Sequence, residues 1–260
     1  MSATAAKWKT LLDESARLLP RYLELTAAVS HEAKGIRRSE MFFFYASVAS
    51  LEPGRIVESG RARAQSTLVL SKLFPQTAIV SVESDAASPD VEIATTRLRD
   101  CTNVECRFGD SLVLLPALVE PGDVVLIDGP KDFRALKLAL RLLRSGKPRM
   151  VFVHDLWLGS AARRFVDRCL PRAMLSDNPH WVQRYASLDS TRRSAPAFLP
   201  DGPRLAYGAT LGRFESDAEN YRFLPLQCRA AQGWERLRET QRKILRRPSI
   251  IRPKDFEPLA

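Results

Sequence analysis

Between Arg55 and Cys169 five short β-like runs, each with a polar residue at or near its end, alternate with stretches that carry apolar positions at helical spacing. Continuous apolar runs of this length read as parallel strands buried on both faces, and parallel neighbours require a crossover, which is usually a helix. The alternation therefore predicts an α/β fold, a doubly wound and mostly parallel sheet with right-handed crossovers. Strands are expected over 56–58, 78–83, 104–108, 123–127 and 150–153. Helices are expected over 66–73, near 91–98, after Ser111, along the stripe Phe133, Leu136, Leu140 and Leu143, and over 160–169.

The flanks read differently. Apolar positions from Trp8 to Leu25 recur at near-helical spacing, with Pro20 as an expected break. Met41-Phe42-Phe43-Phe44-Tyr45-Ala46 predicts a second helix reaching Leu51 and packing beneath the first strand. Past Trp157 the runs 181–185 and 205–211 are expected as closing strands at the sheet edge. The segment 187–203 between them, with Pro196, Pro200 and Pro203, reads as a loop. The organisation expected is an N-terminal helical cap over 1–52, an α/β domain over 53–214 and a basic C-terminal helix and tail over 215–260.

The first strand leads into Glu58-Ser59-Gly60-Arg61-Ala62-Arg63-Ala64 and then a helix. Such a strand–turn–helix aims backbone N–H groups at a ligand. Glu83 comes 23 residues after Gly60, at the end of the second strand, where an acid can accept hydrogen bonds from both ribose hydroxyls; otherwise it is an exposed strand-end acid. The usual three glycines are reduced to one, which argues against a dinucleotide pyrophosphate. Alanine at 62 and 64 still permits close backbone approach provided φ stays negative. Arg61 and Arg63 are open between substrate, cofactor carboxylate and solvent.

Composition narrows the class. Among 260 residues, 45% are hydrophobic and 27% charged, as in ordinary globular proteins. No apolar run is long enough to span a bilayer, and no signal peptide is visible at the N-terminus. Cys101, Cys106, Cys169 and Cys228 form no Cys-x-x-Cys pair, so thiols in a reducing, cytoplasmic setting are expected and a zinc site is not. The formal charge of +10 favours anionic partners. From Arg229 to Glu257 nine basic residues face four acidic ones, expected as a solvated amphipathic helix and tail. Nucleic acid is not an expected partner, because neither a recognised module nor interleaved aromatics accompany the charge.

Polar residues recur where the apolar runs end: Glu58-Ser59-Gly60, Glu83, Asp110, Asp128 and His154-Asp155. Ligands of open α/β sheets bind there, outside the carboxyl ends of the strands. Two further elements, Val124-Val125-Leu126-Ile127-Asp128-Gly129-Pro130-Lys131 and Val151-Phe152-Val153-His154-Asp155, carry a family resemblance. Over 39–159 the chain resembles S-adenosylmethionine-dependent methyltransferases with a Rossmann-like fold, nearest to the catechol-type and sugar O-methyltransferases.

That resemblance implies O-methylation of a small-molecule or sugar hydroxyl, with an anionic acceptor suiting the charge. It implies Glu58, Ser59 and Gly60 along the methionine portion of the cofactor, Glu83 on the ribose and Asp110 at the adenine. Asp110 equally suits a helix N-cap. Asp128 and Asp155 would hold a divalent cation, Mg2+, that lowers the acceptor's pKa, with Lys131 as base. Lys131 also suits a plain surface lysine at a helix start. His154 departs from the catechol-type pattern, where an acid stands, and is open between general base and structural roles. The alternative is a methyltransferase-fold binding or regulatory protein without catalysis; a third reading is an enzyme using NAD or a nucleotide sugar.

Overall fold

The computed structural model describes residues 3–30, 32, 35–189, 197–198, 205–206 and 210–245. In chain order the elements are α1 (Ala3–Thr26), α2 (Arg38–Val48), β1 (Arg55–Ser59), α3 (Gln65–Leu73), β2 (Ala78–Glu83), α4 (Asp90–Leu98), β3 (Val104–Phe108), α5 (Ser111–Leu118) and β4 (Val124–Ile127). There follow α6 (Asp132–Ser145), β5 (Met150–Val153), α7 (Ala161–Cys169), β6 (Met174–Leu175), α8 (Pro179–Tyr185), β7 (Ala197–Phe198), β8 (Leu205–Ala206), β9 (Gly212–Glu215) and α9 (Leu224–Leu245).

One seven-stranded sheet has the order β3-β2-β1-β4-β5-β9-β6. The first five are parallel, and β9 runs antiparallel to both β5 and β6. The chain starts at β1, winds outward to β3, then returns to β4 beside β1, so the crevice between β1 and β4 is a topological switch point. The expected α/β, doubly wound, mostly parallel sheet is the architecture observed.

Two apolar clusters cover the faces of the sheet. On one side Phe42, Phe43 and Phe44 of α2 pack with Ile56, Phe152 and Trp181, and α1 adds Leu11 and Tyr22. Phe43 meets Phe152 edge-on at 6.4 Å between ring centres, so the aromatic run is core. On the other side Leu136, Ala139, Leu140 and Leu143 of α6 pack on Val125 and Val151. The central strands β4 and β5 carry apolar side chains on both faces because helices bury both, whereas the edge strand β3 is exposed from Glu105 to Phe108.

Three sequence expectations are corrected. Pro20 does not break α1, which runs through it to Thr26. The run 181–185 is helix rather than strand: the Asn178 side chain accepts from His180 N, Pro179 opens the first turn, and Trp181, Val182 and Tyr185 are buried at helical spacing. The closing strand is not 205–211 as a unit. Leu205–Ala206 pairs with Ala197–Phe198 in a separate two-stranded sheet, Gly212–Glu215 supplies the edge of the main sheet, and 207–209 lie outside the described residues. The rest of the expected 187–203 loop beyond Asp189 and β7 likewise lies outside them.

Candidate functional site

At the carboxyl end of β1 the chain turns sharply at Gly60, which has φ +91°. A Cβ there would stand 2.5 Å from the Gly129 nitrogen and 2.9 Å from the Asp128 carbonyl carbon, both backbone atoms of the β4–α6 turn. Only glycine allows the two loops to meet across the switch point. Beyond it, Ala62 and Ala64 take φ of +42° and +61°, so the condition of negative φ set for these alanines is not met. Left-handed backbone at a residue with a Cβ costs roughly 1–2 kcal/mol. The loop is therefore strained where glycine would relax it.

The acids expected along a cofactor lie at different depths. Glu58 is fully buried; Ser66 Oγ donates to its Oε1 at 2.5 Å, and Ser81 Oγ (2.6 Å) and Thr67 Oγ1 donate to its Oε2. Burial pushes its pKa up, against those three hydroxyls. It braces the floor of the loop rather than facing the cleft. Ser59 is also fully buried, sharing a hydrogen bond with Ser111 Oγ at 2.6 Å and bonding the Gly129 carbonyl. Glu83 is half-buried and accepts from Ala62 N (2.8 Å), Ser84 N (2.7 Å) and Asp85 N (3.3 Å). Burial opposes its charge, but the backbone donors outweigh it and hold its pKa below the usual carboxylate value. Asp110 caps α5 through Leu112 N at 2.9 Å.

The two loop arginines are both engaged. Arg61 is buried, donates to the Ser81 carbonyl at 2.8 Å and lies 4.8 Å from the centre of the Phe108 ring. Arg63 pairs with Asp90 at 2.7 Å. Between them and the N-terminal segment lies a cleft of about 130 Å³, bordered by Gly35, Gly60, Ala62, Ser66 and Asp128.

Across the switch point the ends of β4 and β5 bring Asp128, Lys131, His154 and Asp155 together. The Lys131 ammonium bridges Asp128 Oδ1 at 2.5 Å and Asp155 Oδ2 at 2.6 Å. His154 Nδ1 lies 2.7 Å from the same Asp128 oxygen, and its Nε2 lies 3.1 Å from Glu40 Oε2 of α2. Burial works against a charged ring, but Glu40 and Asp128 outweigh it and push the pKa of His154 up to about 10. The ring thus stays doubly protonated at neutral pH, one N–H to each carboxylate. Asp128 is likewise held low: burial raises its pKa, and the bonds and charges of His154 and Lys131 win. Lys131, half-exposed, is raised above the usual lysine value, its acidic neighbours outweighing burial. Asp155 holds φ +61°, a strained conformation at the most open carboxylate of the group.

Glu40, whose Oε1 is buried without a hydrogen-bond partner, is the residue that sequence reasoning missed. Nothing marks it within Arg-Ser-Glu-Met-Phe, because its role exists only once α2 lies across β5.

Among the described residues, Asp128, His154 and Asp155 are a group of metal-ligand type whose donor atoms lie within 4.8 Å of one another. The point between the two aspartates is filled by Lys131 Nζ, and Asp128 already carries the His154 N–H. A divalent cation would have to expel the ammonium, so this donor set does not fit a resident metal as arranged.

A second, wider cleft of about 680 Å³ opens on the other side of Lys131. Its walls include Arg134, Trp157, Arg164, Arg236 and Arg238. Arg164 is committed to Glu235 at 2.8 Å, while Arg134 and Arg236 form no ion pair among the described residues.

No protein-family model matches the chain, and no curated protein matches it. Solved structures do. The O-methyltransferase TomG from Streptomyces achromogenes, in complex with SAM, is 18% identical, with TM-score 0.46, covering 76% of this chain and 88% of that one. An O-methyltransferase from Bacillus cereus in complex with SAH is 17% identical, with TM-score 0.46, over 76% and 90%. The SAH-bound methyltransferase PaMTH1 from Podospora anserina is 15% identical, with TM-score 0.45, over 77% and 88%. These likenesses are distant.

Proposed function

We propose that this protein is an S-adenosylmethionine-dependent methyltransferase acting on a hydroxyl of a small anionic acceptor. The observation that carries the reading is the meeting, at one switch point, of the Gly60 turn and the Asp128–Lys131–Asp155 group. Ligands of doubly wound sheets lie at such a crevice. The cleft beside Gly60 and Asp128 suits the amino-acid end of the cofactor, with the adenosine laid over the strand ends at Glu83 and Asp110. Glu83, held ionised, is an acceptor-only carboxylate of the kind ribose hydroxyls require. When bound, the cofactor supplies an electrophilic methyl group for in-line displacement, and most of the acceleration comes from positioning.

The acceptor would approach from the basic cleft, whose two uncommitted arginines suit a carboxylate or phosphate. Its hydroxyl would reach Lys131 and Asp155. Asp155, the more open carboxylate, takes the proton, while the ammonium 2.6 Å away stabilises negative charge growing on the oxygen. A lysine with a raised pKa serves better as cation than as base. His154, with both nitrogens engaged, positions Asp128 instead of accepting a proton.

The loop favours one second reading. Glu83 already bonds Ala62 N, so the cofactor turn closes on itself, as a binding protein without turnover would tolerate. Calorimetry separates the two. Tight binding of S-adenosylmethionine and S-adenosylhomocysteine, weakened about tenfold or more in Glu83→Ala (about 1.4 kcal/mol or more), is expected. Methylation of hydroxylated carboxylates or phosphates without added metal completes the proposal. Binding without turnover supports the second reading, and no binding of either nucleoside overturns both.

A further inference from the structure

Helix α9 buries Leu224 and Cys228, with Ala231 partly covered, against the α6–α7 side of the molecule. Its opposite surface should be polar, as on any helix with one packed face. Instead Leu226 (58% exposed), Trp234 (68%) and Leu237 (59%) stand in solvent, joined by Phe223 (55%), the residue just before the helix, whose carbonyl accepts from Leu226 N and Gln227 N. With exposed Ala230 they are spaced by three, four, four and three residues, which places them on one continuous ridge. Exposed apolar patches of this kind mark a contact surface.

The charges beside the ridge are arranged too. Arg229 and Arg236, both exposed, follow one flank at a seven-residue step that the sequence continues at Lys243, and Arg222, in the turn before the helix, lies 5.2 Å from the centre of the Phe223 ring. Arg238 lies on the other flank. We propose that this ridge docks flat on an anionic lipid surface, with Phe223, Leu226, Trp234 and Leu237 entering the boundary between headgroups and acyl chains and the arginines meeting the phosphates. A helix with large aromatic and aliphatic side chains on one face and arginine on its polar flank binds membranes in this way, with its apolar face about 5–10 Å deep.

Charge complementarity selects this occupant over the others. In a second copy paired antiparallel about Ala230, the Arg229–Arg236 flank would face its own image, like charge against like. Nucleic acid would engage the arginines through phosphates and leave the apolar ridge in water. Of these three occupants, an anionic bilayer satisfies both features at once. The proposal does not depend on the methyl-transfer reading; Arg236, which also borders the acceptor cleft, is shared by the two, and the ridge itself is not.

The test is co-sedimentation of the full chain with vesicles of phosphatidylcholine alone and of phosphatidylcholine mixed with phosphatidylglycerol. Binding to the anionic vesicles only is expected, together with a blue shift of tryptophan emission that disappears in Trp234→Phe. The double variant Leu226→Ser/Leu237→Ser keeps every charge, replaces only exposed residues and is expected to bind at least about tenfold more weakly. Equal binding by that variant would mean that net charge alone attracts the protein, and would overturn the proposal. So would failure of the wild type to sediment with anionic vesicles, or a discrete dimer in equilibrium centrifugation that the double variant abolishes.

Discussion

Gly60 is the position where a single atom decides the site. Gly60→Ala would place a Cβ against backbone that cannot step aside, at φ +91°. Left-handed strain and overpacking together are expected to cost about 2–4 kcal/mol, read as a fall in the urea midpoint. Ala62 gives the opposite sign. It is exposed at φ +42°, so Ala62→Gly relieves strain, and a gain of up to about 1 kcal/mol is expected after the unfolded-state entropy of glycine is subtracted. No change in the midpoint would show that the loop relaxes without help.

Glu58 sets a pH dependence from within the same loop. Its folded pKa lies above the unfolded value, so the folded state binds the extra proton. That contribution to stability is fully present below the unfolded carboxylate pKa and is lost as pH rises through the folded one. Wild type should therefore lose stability relative to Glu58→Gln as pH climbs from about 4 towards neutrality. Parallel stability curves for the two proteins would refute the assignment.

Among the elements, the parallel strands and crossover helices were legible from the sequence: burial on both faces leaves unbroken apolar runs at Val124–Ile127 and Met150–Val153, and the crossover helices carry an amphipathic stripe such as Phe133 to Leu143. The run 181–185 was not, since Trp-Val-Gln-Arg-Tyr has the composition of a strand and its helix is fixed by an N-terminal cap. Removing that cap tests the explanation: Asn178→Ala is expected to lower stability by about 1 kcal/mol in thermal or urea unfolding. Pro20 misled in the other direction. Helix α1 tolerates it because packing of Leu11, Leu12 and Tyr22 on the core outweighs one missing hydrogen bond.

In the whole molecule the charged group at the switch point couples three regions of the chain. Lys131 is one of its two cations, opposite Glu40, Asp128 and Asp155. On the proposed reading, Lys131→Met should lower kcat about a hundredfold while cofactor affinity holds within a few-fold. Equal losses in both would assign the residue to cofactor binding instead.

What the sequence determined by itself was periodic and local: the five parallel strands, most of the helices, the α/β class and the placing of acids at strand ends. Residues in neighbouring turns or alternate positions write that information at spacings of two and three to four residues. What only the tertiary structure decided was who meets whom. His154 joins Asp128 from 26 positions away and Glu40 from 114, Arg61 turns inward onto Phe108, and Lys131 settles between two aspartates expected to hold a metal. Such pairings carry no period, because the chain brings them together only when the sheet closes and burial makes every unpaired charge costly.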